Sequence, residues 1–153
     1  MLERKDDLTC LVTSTEVTDD GVTLHCMTNM NDYGKVRFSL TLVSGTSPDR
    51  SGGACYGSGR GAMKDGTFFA GSFSGRWKRE GTKVTARYID LVSNGDMSLY
   101  VAHFDATQDE MLIEQHGCKP MWLWRRDATG LQKETYEVVW RGKVRVHSWA
   151  ELS

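Results

Sequence analysis

Only two prolines occur in the 153 residues, and no apolar run approaches the length needed to cross a membrane as a helix. The opening stretch Met1-Leu-Glu-Arg-Lys-Asp-Asp7 carries charge where a secretory leader would need an apolar core. Together these absences lead to the expectation of a cytoplasmic protein without a membrane partner. An excess of charge of one sign is lacking too. Lys and Arg total 19 against 20 Asp and Glu, for a formal net charge of −1. Phosphate affinity needs a clear basic excess, so a general nucleic-acid binder is disfavoured. The segment after Lys119 leans basic, an asymmetry that a solvated strand surface explains.

Cysteine is sparse. Cys10, Cys26, Cys55 and Cys118 are scattered and form no C-x-x-C pair, so the spacing of a zinc or redox motif is missing. Reduced, buried thiols are the expected state, with two disulfides as the alternative that an even count leaves open. No serine lies in a nucleophile elbow, and no cysteine sits where a thiolate would be activated, which argues against covalent catalysis. No cofactor and no metal is expected. Helical periodicity is absent as well: no stretch of a dozen residues repeats its apolar positions every three or four.

What the sequence does have is alternation and turns. Charged residues at 25% and hydrophobic ones at 39% are ordinary for a globular chain, and the length suits one domain, 1–153. The spans 8–17, 22–30 and 35–44 read as strands. In the last, Val36, Phe38, Leu40 and Leu42 alternate with Lys35, Arg37, Ser39 and Thr41. Residues 46–53, with Pro48, read as a loop. The span 54–77 holds glycines at 57, 59, 61, 66, 71 and 75, a density that predicts bulges and bends where a sheet curls to close. Further strands are expected at 83–92, 97–106, 111–116, 121–126, 133–141 and 143–149. The fold class is therefore all-β, a single antiparallel meander barrel of about 8–10 strands. Gly57-Ser58-Gly59-Arg60-Gly61-Ala62 fits G-x-G-x-x-A on paper. A turn and a strand follow it instead of the helix a dinucleotide site needs, so the nucleotide reading is rejected.

Gly75-Arg76-Trp77 resembles the G-x-W signature of calycin barrels, the lipocalin and avidin group. There the Trp closes one end of the barrel under an Arg from the last strand. Met121-Trp122-Leu123-Trp124-Arg125 is similar to a late strand of the avidin branch. The resemblance covers these two stretches only, and some seventy residues precede a G-x-W that the family places near its N-terminus. It implies a ligand-holding barrel and carries over no site residues. An allene-oxide-cyclase-like barrel has the same strand economy.

Ser93-Asn94-Gly95-Asp96 is a hairpin signal, because Asn-Gly tolerates the positive φ angles of a two-residue turn. With that turn Asp90 faces Leu99, Tyr88 faces Val101 and Ala86 faces His103. One sheet face then carries Tyr88, Asp90, Val101 and His103, joined by Glu114 and His116 if the next link keeps alternation. The other carries Ile89, Leu91, Tyr100, Ala102 and Phe104. In the default reading the second, more apolar face fills the core. In the sharper reading the first lines a pocket, with His103 as proton carrier, Asp90 or Glu114 as its partner, and Tyr88 as hydrogen-bond donor. Val101, His116, Trp122 and Trp124 would contact the ligand. His25 and His147 stand alone on their strands.

The function expected is a barrel that holds or acts on one small, largely apolar organic molecule. As an enzyme it would be a cofactor-free isomerase, cyclase or dehydratase. The alternatives are a carrier without chemistry, and a module with a filled core whose aromatic strands form a homodimer or partner surface.

Overall fold

A computed structural model describes residues 2–45 and 49–118 throughout, and the strand backbone at 124–127, 130–133, 136–140 and 143–147. Two compact units divide the chain, Met1–Cys118 and Lys119–Ser153. The first is an eight-stranded barrel built from β2 (Leu8–Thr18), β3 (Gly21–Met30), β4 (Gly34–Val43), β5 (Gly52–Ala62), β6 (Phe68–Glu80), β7 (Lys83–Val92), β8 (Met97–Asp105) and β9 (Glu110–Cys118), preceded by a short β1 (Leu2–Arg4). Each strand pairs antiparallel with the next. The sheet closes when β9 pairs with both β8 and β2, the latter from Leu8 opposite Ile113 to Leu11 opposite Glu110. β1 continues that seam, with Leu2 opposite Cys118 and Arg4 opposite His116. In the second unit, β10 (Trp124–Asp127) pairs with β11 (Gly130–Lys133) and β12 (Tyr136–Trp140) with β13 (Lys143–His147). The barrel thus closes within the first unit, and the strand expected at 133–141 contains β12. No helix among the described residues is long and apolar enough to cross a membrane.

The period-two pattern explains the core. Alternate residues of each strand point inward: Leu24 and Cys26 on β3, Leu40 and Leu42 on β4, Val84 and Ala86 on β7, Met111 and Ile113 on β9. Eight strands enclose about enough room for such side chains to meet across the axis. The cysteines are free thiols, three of them buried, and burial pushes Cys10 and Cys55 up to about 11 and Cys26 to about 12. Those three thiols are inert toward thiolate chemistry at neutral pH.

Two expectations are corrected. The glycine-dense strands contain no bulge: β5 keeps an unbroken register with β4 from Cys55 to Ala62 and with β6 from Gly52 to Ala62. Gly57, Gly59 and Gly61 instead fall at alternate, inward positions, and the missing side chains leave space inside the barrel. The register shift that does occur lies on β2, between Val12 and Ser14. Gly52 and Gly53, read as loop, belong to β5, while Thr46–Pro48 lie outside the described residues.

The second correction is the β7–β8 hairpin. Its loop has three residues, Ser93-Asn94-Gly95, closed by the Val92 N–H donating to the Asp96 carbonyl at 2.9 Å and the Gly95 N–H to the Val92 carbonyl at 2.9 Å. Gly95 alone takes a positive φ, 93°. Asn94 stays out of the left-handed region and instead uses its side chain, accepting from the Asp96 N–H at 3.1 Å. That is a type I turn followed by a left-handed glycine. The extra loop residue moves the register by one, and a one-residue slip reverses every side chain of the strand. Tyr88 therefore faces Tyr100, Asp90 faces Ser98, and His103 faces Thr85.

Candidate functional site

The corrected register divides the residues that the two-residue turn would have gathered. Asp90 and Tyr88 point into the barrel; Val101, His103, Glu114 and His116 lie on its outer face. Trp122 lies outside the described residues, as does the side chain of Trp124.

The outer group does assemble, around Glu114. Its carboxylate accepts from Arg4 Nη1 at 2.8 Å and lies 3.2 Å from His103 Nε2 and 3.8 Å from His116 Nε2. Arg4 also bonds Asp7. The Arg4 guanidinium, with a smaller part from His103, holds the Glu114 carboxyl below its usual range. The His103 side chain is 40% exposed and hydrogen-bonds Thr85. This is a solvated ionic cluster that ties β1 to β9, and none of its residues lines the cavity that Asp90 and Tyr88 border.

The inner group is the candidate site. Near the barrel end formed by the β3–β4, β5–β6 and β7–β8 turns, the core leaves a cavity of about 70 Å³. Aromatic rings dominate its walls. Phe38 on β4 meets Phe73 on β6 edge-on at 6.3 Å, Phe73 stacks on Tyr88 at 4.5 Å, and Tyr88 lies 5.7 Å from Tyr100 on β8. Phe38 reaches Phe73 across β5 because the intervening inward positions are glycines. Tyr33 from the β3–β4 turn caps this end, packing edge-on against Phe69 at 5.2 Å. Its hydroxyl donates to Asp96 Oδ2 at 2.6 Å, which joins the β3–β4 and β7–β8 turns and lowers the Asp96 carboxyl. At the opposite end Trp77, the aromatic of Gly75-Arg76-Trp77, donates its indole N–H to the Val43 carbonyl at 2.8 Å, while Arg76 points outward.

One polar group breaks the apolar wall. Asp90 Oδ1 is sealed from solvent and accepts no hydrogen bond from any described residue. Gly71 makes room for it: a Cβ there would stand 2.9 Å from that oxygen. Burial raises the Asp90 carboxyl to about 6, against a smaller lowering by the Leu91 N–H. Tyr88 and Tyr100 are pushed up by burial and remain protonated at neutral pH. Gln115 Nε2 donates to the Tyr100 hydroxyl at 3.2 Å, fixing that ring. No set of three His, Cys, Asp or Glu among the described residues is arranged to hold a metal ion.

Of the residues that the sequence singles out, Asp90 and Tyr88 line this cavity; Tyr33, Phe38, Phe73, Gly71 and Tyr100 line it too, without a local signal that marks them. Tyr100 was assigned to the opposite face by the parity of the turn. The glycines at 57, 59 and 61 carried a signal that alternation makes readable: three inward positions without side chains lie beside strands bearing Phe38 and Phe73.

Compared with protein-family models, curated proteins and solved structures, this chain matches none.

Proposed function

We propose that the barrel holds one small, largely apolar organic molecule in the cavity bordered by Phe73, Tyr88, Tyr100 and Asp90. One observation supports this above the others: a carboxyl oxygen is kept buried and unbonded on the wall of an apolar cavity. Such an arrangement works against folding, and a packed core has no use for it. A ligand site is the place where unfavourable burial of a polar group serves a purpose. The cavity has room for about five water-sized groups, which sets the scale of the ligand, or of the part of it that enters.

Acid–base turnover in the same cavity is the second reading, and it rests on the raised Asp90 carboxyl. A group titrating near 6 gives and takes protons at physiological pH. In that reading Asp90 is the proton carrier, and Tyr88 and Tyr100 are the neighbouring donors. An isomerisation, cyclisation or dehydration would then proceed without His103 or Glu114, which face outward.

The test is native mass spectrometry of protein taken from its source, alongside a cavity-filling Gly59→Leu variant. A Cβ at Gly59 meets Phe38 at 3.2 Å and the Arg37 carbonyl oxygen at 3.5 Å, with no closer contact, and Gly59 lines the cavity, so the longer side chain takes up its space. Retention of a small molecule by the parent, and its loss from a folded Gly59→Leu protein, is the expected result. Retention of the same molecule by both proteins would place it elsewhere and refute the cavity.

A further inference from the structure

We infer that the cavity selects a small organic amine, whose ammonium group meets Asp90 Oδ1 while its hydrocarbon part lies among the rings of Phe38, Phe73, Tyr88 and Tyr100. This deepens the proposed function and rests on the cavity being a ligand site.

Charge and geometry both point to a cation. Among the described residues no Lys, Arg or His forms an ion pair with the Asp90 carboxylate. The titratable or charged side chains around the cavity are Tyr33, Tyr88, Tyr100 and Arg60. Tyr33 donates its hydroxyl hydrogen bond to Asp96, and the Tyr100 hydroxyl accepts from Gln115. Arg60 sits on the exposed side of β5, and its Nη1 donates to the Gly59 carbonyl at 2.7 Å. The unmatched acceptor is thus an anion above pH 6, and the complement that satisfies it is a positively charged donor. The rings strengthen the argument. Their faces carry negative potential and favour a cation close by. A carboxylate ligand would meet like charge at Asp90. A divalent metal would find one carboxyl and a few neutral hydroxyls, short of the six or more oxygens such ions gather. A neutral alcohol could donate to the same oxygen, but without the charge. An amine and an alcohol of equal size therefore separate the cation from a plain hydrogen-bond donor.

The probes are butylamine and 1-butanol, each five heavy atoms long, titrated at pH 8 into the full-length protein. Binding is followed by amide chemical shifts of Gly59, Gly61 and Gly71, which line the cavity. Butylamine is expected to shift these amides with a Kd at least tenfold below that of butanol, about 1.4 kcal/mol. In Asp90→Asn the two Kd values should converge while the spectrum stays dispersed. Gly71→Ala, whose new Cβ crowds Oδ1, should narrow the preference as well, and serves if Asp90→Asn folds poorly. Equal affinity for amine and alcohol in the parent, or a preference that survives Asp90→Asn, would overturn the amine assignment and leave the cavity as a ligand site. Absence of cavity shifts with both probes would overturn the cavity reading itself.

Discussion

A carboxyl placed among aromatic rings loses its hydration, and it must find a partner or take up a proton. Asp90 holds its proton to higher pH, since burial lifts its carboxyl from 3.8 to about 6, and is an anion only above that. For an acid raised in this way, the stabilising contribution is complete below the unfolded value and is lost as pH rises through the folded one. Between about pH 4 and 6 the unfolded chain has released a proton that the barrel still holds. Over that window Asp90 becomes a progressively greater burden on the fold. Asp90→Asn removes the titration. Thermal or urea unfolding should show the variant close to the parent at pH 4 and more stable at pH 7, by about 1–2 kcal/mol, less than the full shift because Asp90 is only half-buried. A stability difference that shrinks between pH 4 and 6 would contradict the burial argument. Greater stability together with loss of amine preference would mark Asp90 as a residue kept for its site at the expense of the fold.

At the scale of the strands, β5 shows how an absence of side chains organises others. Its inward glycines let Phe38 and Phe73 touch across it, and the aromatic row then continues through Tyr88 to Tyr100. The three positions are not equivalent. A Cβ at Gly57 would collide with the Ser39 carbonyl oxygen and the Phe73 ring, whereas one at Gly59 comes no closer than 3.2 Å to Phe38 and 3.5 Å to the Arg37 carbonyl oxygen. Gly57→Ala is therefore expected to lower stability by about 3 kcal/mol, at the upper end of overpacking effects. Gly59→Ala should change it by less than about 1 kcal/mol, the mild crowding offset by the smaller entropy of the unfolded chain. Equilibrium urea unfolding of the two variants measures the contrast. Similar losses at both positions would show that strand glycine matters here for the backbone and not for the rings.

At the scale of the whole molecule, closure is the organising event. Pairing of β9 with both β8 and β2 leaves the barrel no open edge, and every strand it uses precedes Lys119. A chain ending at Cys118 should then keep the barrel. Its amide spectrum should superpose on that of the full-length protein for residues on β3 to β8, with hydrogen-exchange protection retained on β4 and β7. Collapse of that dispersion would show that the residues from Lys119 onward are needed for closure.

Alternation and turn chemistry by themselves determined the all-β class, the meander order and the paired faces of β3 and β4, because strand periodicity is written locally in residues such as Val36, Phe38, Leu40 and Leu42. On β7 the more apolar face, with Ile89 and Leu91, is expected inside, and the barrel buries Val84, Ala86 and Tyr88 instead. Asn94-Gly95 likewise marked a hairpin at the right place. The sequence did not reveal the length of that loop. Asn-Gly suits a two-residue turn, and also a three-residue one in which Asn94 caps the Asp96 N–H and only Gly95 is left-handed. The closed barrel selected the second, since it brings Tyr100 and Ala102 to the buried side and leaves His103 outside. The cavity also belongs to the tertiary structure alone. It exists because glycines on β5, rings on β4, β6, β7 and β8, and the Gly71 gap beside Asp90 converge from strands far apart in the chain, and no local pattern encodes that meeting.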